Sequence, residues 1–499
     1  MNEISPIPSL KPGPPGGSAI FRCKPVESLL ASAEPDAHGH KLDRTLGLRN
    51  LVAFGVGSAV GVSLFVQTGP EAAIHSGPAV ALSFILASVA CLFAALCYAE
   101  FAGLVPVAGS AYSYAYATLG EGVAWMIGWC LLLEYLMSGS LVAIGWSGYF
   151  TATLNNFGLS IPNVLSGAPL SVAADGHVFS SGKWIDLPAV LITLFTAWLI
   201  MHGTELSAKV NDVVVGLKIL AIVAIVIGAI PFINPHNWVP FIPPSDGISG
   251  HFGISGVMRS AGILFFAYVG FDSISTLGQE TKNPQRTIPA ALLISLAICV
   301  ALYVSVAMVM TGIADYRTLN VADPIAEALR AHPGLNWARY CVSVVAIFGL
   351  VSVLLVTLLG QVRIFYAMGR DGLLPPAFAR IHPKYHTPHI GSIVTGVGAA
   401  IFAGLFPLDL LGDLVSIGTL LAFAVVSIGV LVLRRTMPDA PRPFRTPFMP
   451  FTPILAVLSC FALMFSLSNG TWWRLVLWLA IGGAVYAGYG MRHSKLRPR

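Results

Sequence analysis

The chain has 499 residues, of which 56% are hydrophobic and only 10% are charged, with a mean hydropathy of +0.77. Soluble proteins carry about 25% charged residues, so the composition excludes a soluble globular protein and predicts a polytopic membrane protein. The formal net charge is +5, but the basic residues lie between apolar segments rather than in one cluster. This spacing suits orientation in a bilayer and excludes nucleic acid as a partner.

The N-terminal region, residues 1–44, is rich in proline and glycine and has no apolar run. This composition predicts a disordered cytoplasmic tail. It lacks the basic-then-apolar pattern of a cleaved signal peptide. A single membrane domain is then predicted for residues 45–490, followed by a short cytoplasmic tail at 491–499.

Twelve apolar segments in the membrane domain are predicted to span the bilayer as helices. They are numbered spans 1 to 12 and cover residues 48–74, 79–104, 121–154, 186–203, 211–232, 256–279, 287–313, 338–368, 389–407, 411–434, 449–468 and 472–490. The short Tyr-rich segment 109–119 is predicted to be an interfacial helix before span 3.

The charges of the connecting segments agree with this count. With both termini on the cytoplasmic side, twenty-one of the 28 Lys and Arg residues fall on that side and six on the other. Adding or removing one span would remove the asymmetry that the positive-inside rule requires. The pattern therefore predicts twelve spans with both termini in the cytoplasm. The remaining basic residue, Lys218, lies inside span 5.

Span 1 contains the segment 55–69, GVGSAVGVSLFVQTG, whose glycines and small residues weaken a helix at mid-membrane depth. A helix broken at this depth is tolerated where the freed backbone lines a cavity or is buried in protein. Freed N–H groups bind an anion such as a carboxylate, and freed carbonyls bind a cation such as an ammonium. An amino acid carries both groups, so this segment is predicted to form half of an amino acid site. Close helix packing through small residues is the alternative.

Three ionisable residues inside spans are costly unless they are paired or solvated. Lys218 is the candidate for proton coupling, because a buried lysine can gain and lose a proton during turnover. Its alternative is to extend to the cytoplasmic interface. Glu134 either relays protons, caps a cationic substrate or accepts a structural hydrogen bond. Asp272 either lines the pathway or satisfies nearby N–H groups.

Two patterns that suggest cofactors are set aside. Gly55-Val56-Gly57 begins like a dinucleotide fingerprint, but no soluble strand precedes it. His382, His386 and His389 have metal-like spacing on a Pro-rich loop without an acidic or thiol partner, which indicates a solvated cytoplasmic loop. No nucleotide-binding motif is present. We therefore predict no cofactor, no metal and no primary pump.

Three motifs carry a family resemblance. Residues 55–65 match the pattern Gly-x-Gly-x-x-(Ile/Val)-Gly-x-(Gly/Ser)-(Ile/Leu)-Phe, residues 265–272 read FFAYVGFD and are followed by QETKNPQR at 279–286, and residues 363–375 read RIFYAMGRDGLLP. Together they resemble amino acid permeases of the amino acid–polyamine–organocation (APC) superfamily, in the cationic amino acid transporter (CAT)-like branch. The resemblance covers about residues 45 to 490, in order.

The resemblance implies an all-α integral membrane fold of the LeuT type. Two inverted five-helix repeats would cover about 48–232 and 256–434, and two extra helices about 449–490. Spans 1 and 6 occupy corresponding positions of the two halves, and both are interrupted by glycine in mid-membrane. The two broken helices would together form the substrate site.

By the same resemblance, the breaks bind the two charged groups of an amino acid. The N–H donors to the substrate carboxylate are those of Gly61, Val62, Ser63 and Leu64. The carbonyl acceptors of the ammonium are those of Ala59, Val60, Phe266, Ala267 and Val269. Ser63 stands where the family usually has Gly, which predicts a tighter backbone approach there.

The sequence leaves open the roles of several side chains around the breaks. Phe266 and Tyr268 flank the break in span 6 and either gate the pocket or pack in the core. In span 8, Val351, Ser352 and Thr357 are candidates to face the substrate side chain. Cys130 stands where such sequences often carry an acidic residue, which favours neutral over cationic substrates. Glu100, near the inner end of span 2, is predicted to be structural.

The function expected from these features is import of L-amino acids across the cell membrane, by proton symport and alternating access. Spans 1, 2, 6 and 7 would rock against the rest of the protein. An amino acid or polyamine exchanger and a non-transporting amino acid receptor are the alternatives. An enzyme is not expected, because the spans hold no nucleophile–base pair or metal set. The sequence makes no prediction of oligomeric state.

Overall fold

The computed structural model describes residues 21–24, 45–104, 110–172, 178–203, 208–278, 280–385, 387–440 and 442–496. Most of the tail predicted for residues 1–44 therefore lies outside the described residues, and so do Gln279 and His386. The described chain is mainly helical, and the span numbers introduced above are kept for its helices.

Helices occupy all of the predicted segments. They are Leu48–Ala59, Thr68–Glu71, Val80–Leu104, Ser110–Thr118, Glu121–Asn156, Leu187–Met201, Ala208–Ala229, Gly253–Leu264, Pro284–Ile313, Pro324–Arg330, Asn336–Arg370, His389–Leu405, Leu408–Thr436, Phe451–Ser466, Asn469–Val485 and Met491–His493. The predicted interfacial helix 109–119 corresponds to Ser110–Thr118.

Eight helical stretches in the described ranges are long and apolar enough to cross a membrane. One of them, Leu48–Leu104, contains both span 1 and span 2, which are separated by a turn at Gly77 with a positive φ of 60°. Three shorter apolar helices coincide with spans 4, 9 and 11: Leu187–Met201, His389–Leu405 and Phe451–Ser466. The expectation of an all-helical membrane fold is met at this level.

A two-stranded antiparallel hairpin is the exception to the all-α expectation. Strands Leu170–Val172 and Val178–Ser180 pair between spans 3 and 4. The loop after span 3 has no alternating apolar pattern long enough to predict strands, and three-residue strands fall below what such a pattern detects.

Span 3 lies at the centre of the helix packing. It packs against spans 8 and 10, while span 2 packs against spans 7 and 11, and span 4 packs against span 9. Large apolar side chains on spans 4 and 12 are exposed, among them Leu191, Trp198 and Trp473. Broad exposed apolar faces of this kind suit contact with lipid rather than water.

Polar contacts tie the chain together at one end, which we call the inner end. The Glu100 carboxylate accepts hydrogen bonds from Arg434 Nε at 2.6 Å and Nη2 at 2.8 Å, and from the Thr446 N–H at 2.8 Å. Arg442 Nε lies 3.1 Å from the same carboxylate. Glu100 is fully buried. This network joins span 2 to span 10 and to the loop before span 11.

The inner end also holds the described part of the N-terminal region, residues 21–24. Lys24 pairs with Asp371, just after span 8, at 2.8 Å. The Tyr112 hydroxyl of the interfacial helix donates to the other oxygen of Asp371, also at 2.8 Å. The Arg22 carbonyl accepts from the N–H of Glu121 at the start of span 3. These four residues are therefore packed against the inner end of the molecule.

Candidate functional site

The helix of span 1 is interrupted where its glycines are concentrated. The first helical piece ends at Ala59, Val60 has a non-helical ψ of 85°, and helical turns resume at Val62 and Ser63. A helix leaves the N–H groups at its start and the carbonyls at its end without intrahelical partners. At this interruption, the N–H groups that begin the second helical piece therefore come close in sequence to the carbonyls that end the first. The helix dipoles act in the same direction: the N-terminal end of the second piece favours an anion, and the C-terminal end of the first piece favours a cation.

Span 6 is interrupted at the same level. Its helix ends at Leu264 and tightens into a 3-10 turn at Phe265–Tyr268, and the chain is extended at Val269. Gly270 has a φ of 108°, which an L side chain rarely adopts, and a second 3-10 segment follows at Phe271–Leu277.

The two breaks touch each other. The Ser58 hydroxyl donates to the Gly270 carbonyl at 3.0 Å, although the two residues are 212 positions apart in sequence. An added Cβ on Gly270 would lie 3.1 Å from Ser58, so the contact depends on glycine. The single proton of this hydroxyl is shared with the carbonyls of Phe54 and Gly55 in its own helix, at 2.9 and 3.1 Å, so the contact with Gly270 marks the close approach of the two breaks.

A cavity lies at the junction of the breaks. Spans 1, 3, 6 and 8 line it with Ser58, Ala59, Gly61, Val62, Ser63, Tyr135, Ser138, Val142, Phe266, Val269, Gly270, Ser273, Val353, Val356 and Thr357. Residues of both breaks line it together with apolar and hydroxyl side chains of spans 3 and 8, a mixture that small-ligand sites typically combine.

Six of the ten predicted binding residues line this cavity: Ala59, Gly61, Val62, Ser63, Phe266 and Val269. Four do not. The Val60 carbonyl accepts from Lys218, and the Ala267 carbonyl accepts from the Tyr303 hydroxyl at 2.7 Å. Leu64 is fully buried, and the Tyr268 hydroxyl donates to the Phe84 carbonyl in span 2 at 2.9 Å. The structure thus directs Tyr268 into the core rather than to the pocket.

Span 8 contributes Val353, Val356 and Thr357 to the cavity. Of the predicted Val351, Ser352 and Thr357, only Thr357 is a lining residue. The Ser352 hydroxyl donates to the Gly349 carbonyl of its own helix at 2.7 Å. Val353 and Val356 line the pocket instead, because residues three and four apart share one face of a helix.

Lys218 points at the break in span 1. Its ammonium donates to the carbonyls of Val60 at 3.0 Å and Gly57 at 3.3 Å, and the residue is only 2% exposed. It therefore does not extend to the interface, which was the alternative. Within the described ranges no carboxylate forms an ion pair with it. A Cβ on Gly349 would lie 3.0 Å from Lys218 Cε, so span 8 leaves room for the lysine by having glycine there.

Glu134 and Asp272 lie together, buried behind the cavity rather than on its lining. The two carboxyl groups interact electrostatically with each other. Asp272 accepts the N–H of Gly270 at 3.1 Å. The aspartate thus supports the glycine turn of span 6.

A buried ion pair joins spans 6 and 10 at the opposite, outer end. Arg259 Nη2 contacts both carboxylate oxygens of Asp413, at 3.1 and 2.9 Å. Thr471, in the first turn of span 12, donates to the same carboxylate at 2.6 Å. The charge count above placed Arg259 on the outer side. The structure adds that it lies within a helix and is paired.

Several contributors to the site were missed by the sequence analysis. Ser58, Ser138, Val142 and Val353 give no local signal, since each is an ordinary residue of an apolar helix. Gly349 gives no local signal either, because its role is to leave room for Lys218, which belongs to another span. In the histidine loop, the rings of His382 and His389 meet edge to face at 5.3 Å, and His386 lies outside the described residues.

Gly57 offers a test of this geometry. A Cβ at Gly57 would lie 2.4 Å from Val215 Cγ2 in span 5. We expect Gly57→Ala to force the two helices apart, to move the carbonyl that Lys218 contacts, and to lower stability by about 1–3 kcal/mol. Thermal unfolding in detergent and amino acid uptake measure the two effects.

Two further variants control that experiment. Gly216→Ala, next to Val215 and with nothing within 4 Å of the added Cβ, should leave both measurements unchanged. Val215→Ala should partly restore the Gly57→Ala protein by making room. A Gly57→Ala protein as stable and active as the parent would contradict the close packing of spans 1 and 5.

Comparison with known proteins decides the family. The profile of the family described as "Amino acid permease" matches residues 46–486. The chain belongs to this family. Among relatives of this permease is the methylthioribose transporter of Bacillus subtilis (strain 168), 44% identical over 479 residues that cover 96% of the chain and 99% of the relative.

Other relatives carry amino acid names. The branched-chain amino acid permease BcaP of Bacillus subtilis (strain 168) is 40% identical, with 96% of the chain and 99% of the relative covered. The vacuolar cationic amino acid transporter 4 of Arabidopsis thaliana is 38% identical over 85% of the chain and 68% of the relative. The resemblance to the CAT-like branch is thus confirmed. These names describe permeases and transporters rather than enzymes, and the permease is a multi-pass membrane protein.

Proposed function

We propose that the permease is a secondary active transporter that imports neutral L-amino acids together with protons. The observation that carries this proposal is the cavity formed where the broken helices of spans 1 and 6 meet. We place the protein in the cell membrane with both termini in the cytoplasm, as the distribution of basic residues favours.

The proposed fold has twelve membrane crossings in a LeuT-type arrangement. Support comes from the 57-residue stretch that contains two helices, and from three shorter helices that are apolar throughout. Two five-helix repeats, spans 1–5 and 6–10, would then begin with a broken helix each. Placement of the breaks at the same level is what a site at the interface of inverted repeats requires.

Within the cavity, the two charged groups of the substrate would occupy the two kinds of helix end. The N–H groups of Gly61, Val62 and Ser63 would bind the carboxylate. The carbonyls of Ala59, Phe266 and Val269 would bind the ammonium. The carbonyls of Val60 and Ala267 already accept one hydrogen bond each, from Lys218 and Tyr303, and a carbonyl oxygen can accept a second.

The lining of the cavity favours a neutral aliphatic side chain. Val142, Val353, Val356 and Phe266 provide apolar surface, and the described lining contains no carboxylate to pair with a cationic side chain. One relative is a branched-chain amino acid permease. The relative named for methylthioribose, which lacks the amino acid carboxylate and ammonium, gives the second candidate substrate.

Proton coupling would pass through Lys218. Its charged form is held by two carbonyls of the span 1 break, so a movement of span 1 that withdraws these carbonyls also weakens the hold on the proton. The same break binds the substrate. Binding of substrate and proton would thereby be linked through one piece of backbone.

Alternating access would move spans 1, 2, 6 and 7 against the rest. Two ion pairs cross this division: Arg259–Asp413 between spans 6 and 10 at the outer end, and Glu100–Arg434 between spans 2 and 10 at the inner end. A cycle that opens one end at a time would loosen one contact while the other remains closed.

Uptake of radiolabelled leucine into proteoliposomes tests the proposal. With an inward proton gradient and no internal amino acid, we expect accumulation that collapses when the gradient is dissipated. Valine should compete, whereas arginine should compete at least about tenfold more weakly, since burying an unpaired cation costs well over the 1.36 kcal/mol of a tenfold change. Isovalerate and isoamylamine, which each lack one charged group, should not compete.

Each alternative predicts a different outcome. Uptake that ignores the gradient and requires internal amino acid would indicate an exchanger. Binding without uptake would indicate a receptor. Competition by methylthioribose that equals or exceeds that of leucine would replace the amino acid as substrate, and empty liposomes provide the background.

A further inference from the structure

A group of buried hydroxyls behind the cavity has no role in substrate binding. Tyr98 of span 2, Tyr114 of the interfacial helix and Ser275 of span 6 are almost completely buried. The hydroxyls of all three lack a hydrogen-bond partner of normal geometry among the described residues. The Tyr114 hydroxyl faces Ser275. The rings of Tyr98 and Tyr114 meet edge to face at 6.2 Å.

Such an arrangement is unfavourable for a purely structural core. An unsatisfied buried hydroxyl loses its hydrogen bonds to water, and phenylalanine would fill the same space without that loss. Native structures rarely tolerate several such groups in one place. A polar site of this kind is where a buried water molecule is typically held, because it bridges groups that cannot reach each other.

One of the hydroxyls shares a helix face with a buried acid. Ser275 follows Asp272 by one turn of the 3-10 segment Phe271–Leu277, which places both side chains on one face of that segment. Tyr98 also interacts electrostatically with both Asp272 and Glu134. On its other sides Tyr98 is enclosed by the rings of Phe271 and Phe423, at 6.3 and 5.0 Å. The polar groups therefore form a narrow strip with apolar walls.

Charged and titratable groups from each neighbouring element interact electrostatically with the groups of this strip. They are Cys91 and Tyr98 from span 2, Glu134 and Tyr135 from span 3, Tyr114 from the interfacial helix, Asp272 from span 6 and, through Tyr135, Arg363 from span 8. The interfacial helix that holds Tyr114 lies at the inner end, where the hydroxyl of Tyr112 on the same helix donates to Asp371 in the loop after span 8.

We propose that the hydroxyls of Tyr98, Tyr114 and Ser275 hold water that carries protons between the Asp272–Glu134 pair and the inner end of the protein. Each transfer moves one proton from a donor oxygen to the next along hydroxyls and water, without a change in oxidation state. The strip is the proposed exit route for a proton held by the Asp272–Glu134 pair, which is a second protonatable site beside Lys218. This inference rests on the proposed proton symport.

The test uses Tyr98→Phe and Tyr114→Phe in the full chain, reconstituted in proteoliposomes with a pH-sensitive dye inside. Each variant removes one hydroxyl and keeps the ring. We expect proton flux coupled to leucine uptake to fall by roughly threefold to tenfold, the range expected for a lost neutral hydrogen bond in the transfer step. Leucine counterflow at equal pH should stay within about twofold of the parent, and thermal unfolding should be unchanged or slightly higher.

Tyr149→Phe is the matched control. Tyr149 is also a fully buried tyrosine of span 3, but its hydroxyl donates to the Phe65 carbonyl at 2.8 Å. Its loss should lower the unfolding temperature and leave the ratio of proton flux to counterflow unchanged. This is the opposite pattern to that expected at Tyr98 and Tyr114.

The outcomes separate the two proposals. If the parent protein moves leucine without protons, the proposal of proton symport is wrong, and the proposed exit route is overturned as well. If the parent couples protons and both Phe variants keep its ratio of proton flux to counterflow, symport stands and the exit route is overturned. An equal fall of proton flux and counterflow in both variants also overturns it, because that result indicates general damage to transport.

Discussion

Replacement of Lys218 by methionine is expected to abolish proton-driven accumulation of substrate while counterflow persists. Methionine keeps the apolar length of the side chain and removes the ammonium that contacts Gly57 and Val60. Because methionine cannot bind a proton, we expect gradient-driven uptake to fall to the level measured without a gradient. Uptake of labelled leucine with and without a proton gradient measures it.

The control is Lys282→Met, which removes an exposed lysine after span 6 and should transport like the parent. A Lys218→Met protein that still follows the gradient would rule out coupling through this lysine. One that loses gradient-driven uptake and counterflow together would show that the ammonium only maintains the break. The two measurements in parallel distinguish a coupling residue from a structural cation.

Glu100→Gln is expected to cause the largest loss of stability. The substitution removes the charge that two arginines contact and converts one acceptor oxygen into an NH₂ donor facing them. Breaking a buried ion pair from one side costs about 3–5 kcal/mol, because the remaining charge is left uncompensated. Arg442 is only 2% exposed in its side chain and cannot turn to solvent. We expect low yield and a markedly lower unfolding temperature in detergent.

An exposed ion pair supplies the comparison for Glu100. Glu327 contacts Arg330 at 2.9 Å on a short helix before span 8, where both side chains are partly exposed. Glu327→Gln should change stability by less than about 1 kcal/mol. The double variant Glu100→Gln, Arg442→Gln should recover part of the loss. Equal stability of Glu100→Gln and the parent would show that the inner network does not hold span 2 to span 10.

The helices and the location of the breaks were predictable because their causes are local. Apolar runs set the spans, and the glycines of residues 55–61 lower helix stability within one or two turns of where they occur. The three family motifs are likewise short and contiguous. The hairpin between spans 3 and 4 was not predicted, because three-residue strands carry too little pattern.

The candidate site was predictable only in part. The position of Lys218 in an apolar run marks it as costly, yet the sequence left open whether it turns inward or reaches the interface. The structure shows that it turns inward, because span 5 packs on span 1 and Gly349 of span 8 leaves space for the side chain. The same packing sends Tyr268 to span 2 and leaves Phe266 at the cavity.

The sequence by itself determined that this is a multi-pass membrane protein with glycine-interrupted helices in spans 1 and 6, and which family it resembles. The tertiary structure alone decided which carbonyls at the breaks accept hydrogen bonds from distant side chains. The carbonyls of Val60 and Ala267 accept hydrogen bonds from Lys218 and Tyr303, while Ala59, Phe266 and Val269 line the cavity. Helix propensity acts between near neighbours, whereas the partner of a freed carbonyl depends on which distant helix packs against it.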